Sequence, residues 1–140
     1  MPYTKLVSEK VGECDGRPVI RLHEPLEWGN GIKRVVCPIG FENDGASIPK
    51  FAMAFLGYTA MEAGVIHDFL YREGAEITEG NVTREPTRLE ADNIFLAVMK
   101  EMSISRIKRM LMWSAVRGFA GGNWHARKVM EPFIKQEVFV

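Results

Sequence analysis

Residues 63–74, AGVIHDFLYREG, place a histidine, an aspartate and a tyrosine inside an otherwise apolar run. On a helix, positions four apart share a face, so His67 and Tyr71 point the same way. Asp68 is turned about 100° away from His67 by the 3.6-residue repeat. Polar groups on an apolar face cost free energy unless they find partners. Asp92 is the obvious one, because it follows Ala91 and lies beside the stripe of Phe95 and Met99. With the two segments packed as antiparallel helices, the imidazole and the phenol both donate to Asp92. The second imidazole nitrogen is then left to take a proton from water. His67 becomes a general base held in one tautomer by an acidic partner, with Tyr71 and Asp92 completing a catalytic set. Asp68, on the other side, is placed to hold a hard cation with loop oxygens, those of Asp44 in FENDGAS.

The same residues have a plainer reading, a satisfied polar network that locks two helices in register. Ser47 can be read as a nucleophile with His67 as its base. It lacks the G-x-S-x-G elbow, however, and its place two residues before Pro49 resembles a helix N-cap. His23, His125, Cys14 and Cys37 show no zinc spacing. Trp113 and Trp124 read as core and rim rather than as a base-stacking platform, and no specific nucleic-acid motif is present.

The elements that must position these side chains follow from pattern. The chain has 140 residues, 46% hydrophobic and 26% charged, which suits one globular domain with a real core. YTKLV, RPVIRLH and IKRVVCPI are β-branched runs separated by ECDG and WGNG, so residues 1–40 read as an antiparallel meander. Residues 49–131 read as helices: about 49–56, 60–72, one opened by Pro86 and Thr87, and one beginning near Ser103 or Ser105. In the last, Ile107, Leu111 and Ala115 mark one face. The polar stretch REGAEITEGNVTREPT reads as a loop, and the tail as a short helix to Pro132 with an extended end. The expected class is α+β, a small N-terminal antiparallel sheet followed by a helical bundle in a single domain over 1–140.

Lys+Arg and Asp+Glu number 18 each, which gives the whole chain no polyanion bias. Local charge is uneven. Acids outnumber bases from Glu62 to Glu101, whereas Met102–Met130 holds no acid and six lysines and arginines: Arg106, Lys108, Arg109, Arg117, Arg127 and Lys128. This basic 106–128 region is either a solvated face or a surface for phospholipid or another anionic partner. Two cysteines are too few for a secreted disulfide framework, the N-terminus has no apolar signal core, and no stretch approaches a transmembrane span. Synthesis in a reducing cytoplasm is expected.

Two resemblances extend this reading. HDFLY followed by ADNIF resembles the paired helices of the secretory phospholipase family, especially its disulfide-free viral-capsid branch. That resemblance implies a calcium-assisted ester hydrolase in which His67 activates water, Asp68 binds Ca2+, and Tyr71 and Asp92 buttress the histidine. It covers two helices only, and the glycine-rich calcium loop of that family is absent, with GFENDGAS in the comparable place. More of the chain, through GFENDGASIPKF, AGVIHDFLY, ADNIFLAVM and WSAVRGFAGGNW, looks like a family of small phage and prophage proteins of unknown function. It implies a bacteriophage origin, with synthesis in the host cytoplasm. A non-catalytic virion or assembly component contacting other phage proteins and a host-modulating binding protein are then the alternatives to a hydrolase.

Overall fold

The computed structural model describes residues 3–14, 16–56 and 60–126. Strands β1 (Ser8–Cys14) and β2 (Arg17–Leu22) form an antiparallel hairpin, and β5 (Glu42–Asn43) joins the free edge of β2, pairing Ile20 with Asn43. A second antiparallel sheet has the order β3 (Leu26–Gly29), β4 (Lys33–Cys37), β6 (Ile77–Glu79), β7 (Val82–Arg84). The helices are α1 (Lys50–Leu56), α2 (Met61–Leu70), α3 (Arg88–Glu101) and α4 (Arg106–Phe119). The class is α+β, as the patterning predicts.

Three sequence expectations change. The β region is two sheets rather than one meander, and YTKLV precedes β1, with Tyr3 making only an isolated bridge to Trp28. Trp28 itself lies in a strand, because alternation buries Leu26 and Trp28 on one side of β3. The stretch read as a loop after α2 contains the β6–β7 hairpin. Its β-branched pairs Ile77-Thr78 and Val82-Thr83 flank Gly80, whose φ of 61° suits the turn, and burial of Ile77 against Val35 of β4 anchors it. The tail beyond residue 126 lies outside the described residues.

Helix α2 is the centre of the molecule. It packs against α3 on one side and against β3, β4 and β5 on the other. Every residue from Val65 to Leu70 is buried, so the helix carries no solvent face along that stretch. The α3 start is well defined. The Thr87 hydroxyl accepts from the Glu90 N–H at 3.1 Å, and the Glu90 carboxylate returns to the Thr87 N–H at 3.1 Å. The same carboxylate binds Arg84 and Lys33, fastening the hairpin and β4 to the helix N-terminus, and Arg84 above all holds it well below the usual carboxylate range. Thr87→Ala is expected to cost about 1 kcal/mol of stability. Glu90→Ala should cost more, because it also releases the hairpin; urea midpoints of the two variants check the order.

Candidate functional site

Because α2 has no outward face at His67 and Asp68, both side chains point inward, in different directions, and each meets its own partners. His67 Nε2 lies 2.7 Å from Asp92 Oδ1 on α3. The Tyr71 hydroxyl donates to the same oxygen at 2.7 Å, and Arg117 of α4 donates to Asp92 Oδ2 at 2.9 Å. Pairing of Tyr71 with Arg88 and of His67 with Phe95 shows that α2 and α3 run antiparallel. His67 Nδ1 lies 2.9 Å from Ser47 Oγ. A carboxylate only accepts, so Nε2 carries the proton, and in the neutral ring Nδ1 accepts from the serine hydroxyl. A continuous chain of donors therefore runs Ser47 to His67 to Asp92. Its members are 1%, 0% and 0% exposed.

The second set surrounds Asp68. Its Oδ2 accepts from Arg72 at 2.9 Å, one helical turn on, and its Oδ1 takes the Ser47 N–H at 3.4 Å. The Arg72 guanidinium also donates to the Glu42 carbonyl at 3.2 Å and stands 3.6 Å from Asp44 Oδ1. Asp44 in turn accepts from the Ala46 N–H at 2.9 Å, and Gly45 turns the chain with φ of 72°. The Arg17 side chain from β2 donates to the carbonyls of Gly45 and Ile48. The DGAS loop is thus held from both sides, by a strand arginine and by α2.

Burial pushes the Asp92 carboxyl up, but the hydrogen bonds from His67, Tyr71 and Arg117 outweigh it and hold the group below its ordinary range. Burial and the Asp92 carboxylate push the Tyr71 phenol far above its usual value, although Arg88 opposes them. Arg88 donates to the Tyr71 hydroxyl at 3.1 Å and to the carbonyls of Val116 and Arg117 at 2.8 and 2.9 Å. It ties the first residue of α3 to the last turn of α4. Burial also raises the Cys37 thiol, with the charge of Asp68 adding to it.

The structure brings His67, Tyr71 and Asp92 together and, separately, Asp44 and Asp68. It differs from the sequence reading in three respects. The second imidazole nitrogen is engaged by Ser47 instead of being open to water. Ser47 does not cap α1, which begins at Lys50; its hydroxyl is turned to His67. Asp68 is buried, and the cation that stands between it and Asp44 is the Arg72 guanidinium. Among the described residues no three His, Cys, Asp or Glu gather as metal ligands. Of the residues the motif reading passed over, Arg72 carried a signal, the i+4 spacing from Asp68. Arg88 and Arg117 reach the site from distant segments, and no local spacing marks them. Trp113 donates to Asn93 at 3.1 Å, and Trp124 stands edge-on to Tyr71 at 5.1 Å, both half-buried.

A cleft of about 470 Å³ opens beside the DGAS loop, lined by Arg17, Asn43, Asp44, Gly45, Met53 and Met61 among others. Neither Ser47 nor His67 lines it. Residues 20–116 match a family model described as a protein of unknown function, DUF1353. The chain belongs to the DUF1353 family. No curated protein and no solved structure matches it. The residues matched to DUF1353 include Ser47, His67, Asp68, Tyr71, Arg72, Arg88 and Asp92; Arg117 follows immediately after them.

Asp92→Ala leaves Arg117 and His67 without their acceptor and is expected to cost roughly 3–5 kcal/mol. Asp68→Ala should cost less, since Asp44 still faces Arg72; denaturant midpoints of the two variants check this. The depressed Asp92 pKa makes a second expectation. Its contribution is complete above the unfolded carboxyl value of about 3.9 and is lost as pH falls through the lower folded value. Acid unfolding of Asp92→Asn should therefore show a shallower pH dependence below pH ~4 than the parent protein.

Proposed function

We propose that the Ser47–His67–Asp92–Tyr71 network is a structural clamp, and that the protein acts without catalysis, as a small binding or assembly component. One observation carries this reading: Ser47, His67 and Asp92 are all sealed from solvent, and the nearby cleft is lined by neither Ser47 nor His67. A general base must reach the proton it abstracts at about 2.6–3.2 Å, directly or through one water. Here that position holds the Ser47 hydroxyl, which is itself buried out of reach of a substrate. The nearby cleft stops short of it. The resemblance of the four sequence motifs to small phage and prophage proteins supports a place among virion or host-directed phage components.

A second reading is favoured by the order of donors. Serine to histidine to aspartate is the arrangement that activates a serine nucleophile. His67, Asp92 and Tyr71 also keep the mutual contacts that the phospholipase resemblance assigns them. In this reading the protein hydrolyses an ester, and the DGAS loop moves to admit it.

Fluorophosphonate labelling and hydrolysis of a short-chain phospholipid and of a p-nitrophenyl ester, with and without calcium, separate the two. The clamp reading expects no labelling and no turnover. It also expects Ser47→Ala to lose roughly 1–3 kcal/mol of stability by stranding His67 Nδ1. Labelling and turnover that disappear in Ser47→Ala establish the hydrolase instead.

A further inference from the structure

Helix α4 turns an apolar face outward. Met112, Ala115 and Val116 pack inward, while Ile107, Met110, Leu111 and Phe119 are exposed, Ile107 at 77% and Phe119 at 70%. The Ile107–Leu111 pair, which sequence spacing alone marks as a face, belongs to the surface. Helix α1 lies antiparallel alongside and extends the patch. Phe51 stacks edge-on against Phe119 with ring centroids 5.5 Å apart, and Lys108 Nζ lies 5.5 Å from the Phe55 ring centre. Phe51 and Phe55 are both more than half exposed. Burying these side chains against water-excluding material is favourable, and a contiguous exposed patch of this kind marks an interaction surface.

The charge carried by the two helices themselves has one sign. Helices α1 and α4 contain Lys50, Arg106, Lys108, Arg109 and Arg117 and no acidic residue. Arg117 is committed to Asp92 and Arg109 bonds the Ile104 carbonyl. Among the described residues Lys50, Arg106 and Lys108 form no ion pair, and Lys50 and Arg106 are exposed. A second copy docked on the same face would set these cations against one another. Protruding phenylalanine and aliphatic side chains rimmed by lysine and arginine suit the boundary between acyl chains and anionic headgroups.

We infer that the α1–α4 face docks on the surface of a membrane containing anionic lipid. Nothing here requires a span, and among the described residues no helix is long and apolar enough to cross a membrane. The inference stands apart from the clamp reading, because binding needs no chemistry at Ser47 or His67.

Flotation of the full chain with vesicles of phosphatidylcholine alone, or mixed equally with phosphatidylglycerol, tests it. Binding should be selective for the anionic vesicles and should weaken as salt rises. Phe55→Ser with Leu111→Ser, and separately Arg106→Glu with Lys108→Glu, should each lower it by roughly tenfold or more. Circular dichroism melts confirm that each variant is folded. Absence of binding to the anionic vesicles overturns the inference. So does binding that survives both double substitutions, or a dimer in solution that Phe55→Ser with Leu111→Ser dissolves, which assigns the face to a second copy.

Discussion

A carboxylate with no access to water governs this molecule. Burying Asp92 as an isolated ion would be prohibitive, so each of its oxygens must be given donors. Those donors come from α2 through His67 and Tyr71, and from α4 through Arg117. His67 passes the requirement on to the loop at Ser47, and Tyr71 passes it to Arg88. Satisfying one charge therefore fixes the relative placement of three helices and a loop. The apolar core around them supplies the bulk of the driving force, but it is non-directional; the hydrogen bonds select one register among many similar packings.

The second interior charge is handled in the same way. Arg72 supplies within the protein the positive charge that two neighbouring carboxylates demand. Its planar head also lies over the Phe41 ring, with Cζ 5.2 Å from the ring centre, so the guanidinium is packed as well as paired. With Arg17 gripping the loop carbonyls from the sheet side, the DGAS turn is pinned between two arginines. Rigidity of that loop then shapes the adjoining cleft, whose wall it forms.

Much of the site is legible in the chain because it is local. His67 and Tyr71 are one turn apart on an apolar helix, and Asp92 interrupts an apolar stripe; physics demands that they meet. Pro86 and Thr87 likewise announce the α3 start. What escapes is set by long-range geometry. Ser47 reads either as a cap or as a partner of His67, and only the fold decides for the second. Arg117 looks like one more surface base, and nothing within ten residues tells it from Arg109. The β6–β7 hairpin hides in a polar segment because its strands are three residues each, too short for alternation to stand out from a loop. Ile107 and Leu111 show the opposite limit: helical spacing identifies a face, not the side on which it is buried.

Arg117 reaches Asp92 across 25 residues of chain, and Arg88 waits for carbonyls of the same last turn of α4. During synthesis on a ribosome, α2 and α3 emerge and can pair well before that turn exists. Until then one oxygen of Asp92 has no cation, and the helix pair is held short of its final stability. Completion of α4 closes the structure, so folding is coupled to the arrival of a late segment rather than proceeding evenly from the N-terminus. A chain that ends before residue 117 lacks the Arg117 donor to Asp92 and the Arg117 carbonyl that Arg88 binds.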